Sequence, residues 1–183
     1  MSRIMLGALL AVAALTVAGC SSGTTDGEPV AQQETSGEKT VQFNPCEDLS
    51  ADALTAAGLD PASEHTTIDP PTGATSWRIC AWKVPGQPYS VSIGASTHMQ
   101  DEVLDNPTVT DFADVQIGSR SGMTYRQVDD EHKLSCYVSL PSSQGMFNVI
   151  ADWPYSKRDS VPEAPPCSLA IKHATDLEPY LPE

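Results

Sequence analysis

Apolar and polar positions alternate most regularly at 89–95, where Tyr89, Val91, Ile93 and Ala95 are set against Ser90, Ser92 and Gly94. A period of two is that of a strand with one buried face. Residues 77–84 precede this run across Pro85-Gly86-Gln87-Pro88, so the two segments predict a hairpin. Further strands are expected at 115–117, 123–128, 134–140 and 146–152, separated by the turn-rich stretches 118–122, 129–130 and 141–145. Connections this short allow hairpins and exclude parallel crossovers. Helical signals flank the strands. Ser50 is placed to cap a helix through Ala57, with Leu54 and Ala57 inward and Gly58 as its stop. A shorter helix is expected at 99–104, ended by Asn106-Pro107. After the proline-rich loop ending in Pro165-Pro166, the helical spacing of Cys167, Ala170, Ile171, Ala174 and Leu177 predicts a terminal helix. The pattern is that of a single α+β domain over residues 43–183: an antiparallel sheet flanked by a short N-terminal helix and a longer C-terminal one.

The amino terminus follows a different logic. Arg3 precedes an apolar run at 6–17 and then Ala18, Gly19 and Cys20. An apolar run this short falls below the roughly 20 residues of a membrane span and matches a secretory signal, assigned to residues 1–19. Val17-Ala18-Gly19-Cys20 resembles a bacterial lipobox, in which the cysteine is acylated and becomes the new amino terminus. Two or three acyl chains, palmitate among them, hold a protein on a bilayer where one binds reversibly. Cys20 is therefore the expected lipidation site and membrane lipid the expected first partner. Residues 20–42 carry this cysteine and then Ser, Thr, Gly, Glu and Gln with no aromatic residue, a composition that predicts a disordered tether with a reach of about 25 Å.

Charge narrows the partners. Removing 1–19 takes away Arg3 and no acidic residue, so nine basic residues face 24 acidic ones and the charge becomes −15. Nucleic-acid affinity depends on Lys and Arg neutralising phosphates, so nucleic acid is excluded as a partner. The surface is that of a soluble domain, expected to be monomeric.

Four cysteines remain: Cys46, Cys80, Cys136 and Cys167. An even number in an exported chain predicts two disulfides. Of the three pairings, Cys46 with Cys80 and Cys136 with Cys167 are favoured, because each joins a helix entrance to a strand close in the chain. A redox pair would need Cys-x-x-Cys, and a metal site would need ligand-spaced histidines. The chain has neither, since His65, His98, His132 and His173 are scattered, so no metal and no cofactor is expected.

Catalytic motifs are equally scarce. Gly118-Ser119-Arg120-Ser121-Gly122 has no serine midway between its glycines and so is no nucleophile elbow. Asp129-Asp130-Glu131-His132 gathers acid and base groups in one dimension, and is expected to be a solvated turn. Trp77, Trp82 and Trp153 are assigned to core packing rather than to a ligand cleft. No catalytic residue is assigned.

Taken in order, the lipobox, the tether, Asn44-Pro45-Cys46-Glu47-Asp48-Leu49, Cys80-Ala81-Trp82, Cys136-Tyr137-Val138 and the late Cys167 helix resemble a family of actinobacterial lipoproteins, the domain of unknown function 3558 type. The resemblance spans about 44–182. It implies an envelope location and the disulfide framework, and supplies no activity. The expected function is a noncatalytic binding or accessory module at the extracytoplasmic face of the cell membrane, recognising an envelope ligand or an exported protein. The alternatives are an envelope hydrolase with dispersed residues and a structural lipoprotein of a larger complex.

Overall fold

The structure, a computed structural model, describes residues 39–160 and 166–183. The signal segment, Cys20 and most of the tether lie outside the described residues. Two short helices come first, α1 (Pro45–Asp48) and α2 (Ala51–Ala56), followed by strands β1 (His65–Ile68), β2 (Trp77–Lys83) and β3 (Ser90–Ser96). A third short helix, α3 (Gln100–Leu104), leads to β4 (Val109–Ile117), β5 (Arg120–Gln127), β6 (Ser135–Ser142) and β7 (Gly145–Asp152), and α4 (Pro166–Leu177) follows. All seven strands join in one sheet of order β1-β2-β3-β7-β6-β5-β4. Every neighbouring pair is antiparallel. The chain leaves the middle of the sheet at β3, crosses by α3 to the far edge, and zigzags back until β7 closes against β3.

Register explains where the core lies. Ile93 faces Val149, which faces Val138, and alternation along the strands puts Val91, Leu140, Phe147 and Trp82 on that same side. These side chains are fully or nearly fully buried against Ala170, Ala174 and Leu177 of α4 and against Leu54 and Ala57 from the amino-terminal helices. Burying each large apolar side chain contributes about 1.5 to 3 kcal/mol, which fixes the register, since a slip by one residue would turn the whole row to solvent. The packed domain reaches back past the expected start at Phe43. Val41 is 6% exposed in this core and donates its N–H to the Thr75 carbonyl.

Local chemistry sets the helix ends. The Ser50 side chain accepts from Ala53 N, and Gly58 takes the left-handed conformation (φ 76°) that ends α2, both as the sequence predicts. Asn44 caps α1 by accepting from Cys46 N, while its amide donates to Asp69, which is ion-paired with Arg78. The two disulfides are Cys46–Cys80 (Cα–Cα 5.4 Å) and Cys136–Cys167 (4.8 Å), the expected pairing. One ties α1 to β2 and the other ties β6 to the start of α4.

A buried histidine completes the attachment of α4. His173 is 1% exposed, its Nδ1 lies 2.9 Å from the Ala57 carbonyl, and its Nε2 lies 3.0 Å from the Tyr89 hydroxyl. A carbonyl can only accept, so Nδ1 carries the proton and Nε2 accepts from Tyr89. Burial lowers the His173 pKa from its ordinary value.

Two elements depart from the sequence reading. β4 starts at Val109 rather than 115, and β1 is an additional strand. Both are edge strands with mostly exposed residues, so neither needs the apolar alternation that identifies a strand with a buried face. β4 also carries a bulge between Thr110 and Ala113, with Asp111 at φ 57°, which breaks its period.

Two stability predictions follow from these attachments. Unfolded His173 takes up a proton near pH 6.5, whereas the folded chain resists doing so until lower pH. The unfolded state therefore binds more protons below that value, and stability should be full above pH 6.5 and decline as pH falls through it. His173→Gln should flatten this segment of the urea-unfolding profile between pH 7.5 and 5, and an unchanged slope would contradict the assignment. Separately, replacing Cys136 and Cys167 together by Ala should cost about 3.5 to 4 kcal/mol by the chain-entropy estimate, for a sequence separation of 31. A loss under about 1 kcal/mol would show that the bridge constrains little.

Candidate functional site: a groove on the second sheet face

Residues of opposite parity in the same strands point away from α4 and build a second surface. Its rows follow from the register: Trp77 beside Ser96 and Met146; Ile79 beside Gly94, Asn148 and Ser139; Ala81 beside Ser92, Ile150 and Tyr137. On this face β3 presents only Ser90, Ser92, Gly94 and Ser96, so the floor dips along the middle of the sheet. A Cβ on Gly94 would stand 3.3 Å from Ile79 Cγ1 and 3.5 Å from the Trp77 ring, so the missing side chain lets both neighbours lean across the strand. On the far side Tyr125 lies opposite Tyr137, and their rings stack with centroids 5.0 Å apart. The cover is slight. Helix α3 contributes Val103 and the first residue of β4 is Val109, and these pack with Met123, Tyr125 and Met146 as a small second core.

Between roof and floor lies an open groove of about 540 Å³. Its walls are predominantly apolar and aromatic: Ile68, Trp77 and Ile79 on one side, Tyr125 and Tyr137 on the other, with Val103, Pro107, Val109, Met146 and Ile150 between them. That size and character match the clefts that take small organic ligands.

A few polar groups converge on it. At the mouth, His98 Nδ1 is 2.8 Å from Glu102 Oε2, and the other Glu102 oxygen accepts from Met99 N at 2.9 Å. The Met99 amide, and after it His98, holds the Glu102 carboxyl below the ordinary carboxylate range. The His98 ring stacks on Trp77 with centroids 6.0 Å apart. Deeper in, Gln127 Nε2 donates to the Tyr137 hydroxyl at 3.4 Å. Burial pushes the Tyr125 phenol up, and a hydrogen bond with the Asn148 side chain offsets part of that rise. Asn148 itself is 4% exposed, and its Oδ1 has no hydrogen-bond partner.

This arrangement holds a ligand more readily than it activates a nucleophile. Ser96, beside His98 in the chain, uses its hydroxyl to donate to the Ser76 carbonyl and to accept from His98 N. Ser139 donates to Met146 Sδ at 3.3 Å. Among the described residues, no group of three or more His, Cys, Asp or Glu side chains could hold a metal ion.

The motifs that looked chemical in one dimension serve the scaffold. Ser119 and Arg120 both engage Glu178, and Arg120 donates to the carbonyls of Pro141, Leu181 and Pro182, which fastens the carboxyl-terminal segment to β5. Asp130 accepts from Leu134 N and Ser135 N and so caps the turn between β5 and β6, while His132 sits edge-on to Tyr155. Trp82 and Trp153 belong to the core as expected. Trp77 does not join them: it is half-buried, packs against the small second core and walls the groove, because its strand parity puts it on the other sheet face from Cys80 and Trp82. Cys20 lies outside the described residues.

A family model described as a protein of unknown function (DUF3558) matches residues 15–180. The chain belongs to that family. No curated protein and no solved structure gave a match. The span that defines the family includes all four disulfide cysteines and every residue lining the groove.

The groove was missed by sequence reasoning, although one signal was available. In β7 apolar residues occupy both parities, Phe147, Val149 and Ala151 on one side and Met146 and Ile150 on the other. A strand apolar on both sides expects cover on both.

Proposed function

We propose that this chain is a membrane-anchored envelope lipoprotein whose domain is a noncatalytic binding module, and that the groove on the second sheet face is where it captures its ligand. The anchor rests on the signal-like residues 1–19 and the lipobox at 17–20; the location, the extracytoplasmic face of the cell membrane, follows from it. No helix among the described residues is long and apolar enough to cross a membrane. The strongly acidic surface keeps polyanions away. The observation that carries the binding reading is the aromatic, one-sided apolar groove roofed by a single short helix. A hydrolase reading has no serine or cysteine hydrogen-bonded to the His98 ring among the described residues from which to build.

The anchor predicts that labelled palmitate is incorporated by cells expressing the full chain and lost in Cys20→Ala; persistent labelling of that variant would refute it. The groove predicts that Nile red, an uncharged apolar dye, binds the protein with a fluorescence rise. Ile150→Glu sets a charge at a half-buried groove position, and should weaken that binding at least tenfold with the unfolding midpoint nearly unchanged. Failure of the native protein to bind the dye would remove the binding reading.

A further inference from the structure

The place where the chain enters the domain identifies the source of what the groove holds. Resting on the anchor and ligand-capture readings, we infer that the groove takes one acyl chain of a net-neutral lipid directly from the bilayer to which Cys20 holds the protein. The first observation is that the chain enters beside the mouth. Val41 N bonds the Thr75 carbonyl, and Thr75 Oγ1 accepts from the N–H of Trp77, which walls the groove. The next carbonyl, that of Ser76, accepts from Thr97 N, beside His98 at the mouth. The Glu102 carboxyl, lowered chiefly by the Met99 amide and then by His98, is also reached by the charge of Lys39, the first described residue. Cys20 precedes Lys39 by nineteen residues, for which the composition gives a reach of about 25 Å. The anchoring bilayer is thus within the tether's reach of the mouth.

The second observation is an apolar collar. Of the seven large hydrophobic side chains that are exposed among the described residues, five border the groove or its roof. Ile68 lines it, Met99 and Leu104 stand at the two ends of α3, and Phe112 packs on Tyr125. Val128 N bonds the carbonyl of Thr108, next to Pro107 of the lining. Exposed apolar residues grouped around a cleft mark an interaction surface, whereas scattered ones need no explanation. Seated on a bilayer, this collar lets a chain pass into the groove without exposing its methylenes to water, which is unfavourable. The third observation is size and charge. A methylene fills close to the roughly 30 Å³ that is a water molecule's share of liquid volume, so about 540 Å³ has room for one acyl chain and not for two. Among the described residues no lysine or arginine lines the groove, while Asp101, Glu102 and Asp105 surround α3. Lys39 offsets one of these charges, and the mouth that remains acidic repels an anionic head group.

The test places the acylated full chain in phosphatidylcholine vesicles containing a trace of phosphatidylcholine with a photoactivatable diazirine in one acyl chain, and maps the adducts by mass spectrometry. Adducts should form on groove residues such as Ile79 and Ile150, and should fall at least tenfold in Ile150→Glu. The double variant Met99→Ser, Leu104→Ser alters two exposed collar positions, and should lower the groove adducts at least threefold with Nile red binding unchanged. Phosphatidylglycerol bearing the same diazirine, in the same host vesicles, should give at least fivefold fewer groove adducts. Adducts confined to residues outside the groove, the collar included, overturn the inference whether or not any variant folds. Equal groove labelling from the two lipids overturns the net-neutral head group, and undiminished labelling of the collar variant overturns docking on the bilayer. Palmitate incorporation in the same preparation checks the anchor separately. A native protein that binds Nile red yet yields no groove adducts leaves the ligand-capture reading standing and ends this inference, whereas no binding of the dye defeats that reading itself.

Discussion

A seven-stranded sheet has two faces to cover, and among the described elements α4 is the helix long enough to cover one. That mismatch governs the molecule. The attachment of α4 to its face is unusually complete: Cys167 bonds it to β6, His173 joins it to the end of α2 and to Tyr89, and Ala170, Ala174 and Leu177 fill the space above Val91, Val138 and Val149. Cys46–Cys80 fastens α1 over the other half of the same face. Covalent and apolar attachments thus concentrate on one side, and the opposite side receives a five-residue helix and a turn.

The second face is therefore apolar in composition and open in geometry. Two features keep it from collapsing. β3 runs through its middle with side chains no larger than serine, so the neighbouring strands' side chains lean inward without meeting across the gap. The aromatic rings brace one another at the sides, Tyr125 against Tyr137 and Trp77 against His98. Rings stacked this way hold their orientation at little entropic cost, having two side-chain torsions each. A groove bounded by such walls is formed in advance of any ligand, and preorganisation of that kind lowers the cost of binding.

Much of the scaffold was legible in the sequence because its determinants are local. Ser50 and Gly58 bracket α2, the alternation at 89–95 marks β3, and the helical spacing from Cys167 marks α4; each signal needs only a few neighbouring residues. The disulfide pairing was legible for a related reason, since each bridge joins elements 31 or 34 residues apart. The groove was not. Its rows are made by register between strands distant in sequence, as where Ile79, Gly94 and Asn148 line up across β2, β3 and β7. Nothing local to Asn148 says that its neighbours will be a glycine and an occupied serine. Trp77 and Trp82 show the same limit within one strand: both read as core aromatics, and only knowing which face α4 covers tells them apart.

The polar groups gathered around the cleft support the same division of labour. Helix caps, the Asp130 turn and the Arg120 clasp leave their backbone groups satisfied, as a scaffold requires. The unsatisfied acceptor of Asn148, the elevated Tyr125 phenol and the exposed His98–Glu102 pair instead lie together around one cleft. Trp82 Nε1 in the core and Arg120 Nε in the clasp also lack hydrogen-bond partners, so an orphan atom by itself marks no site; Asn148 differs in standing on the open face, where an unmet buried acceptor is a standing cost that an apolar residue of similar size would remove. An apolar side chain in place of Asn148 would complete a second core beneath α3, alongside Met146 and Tyr125. Keeping an amide there lowers stability on the face with the fewest attachments.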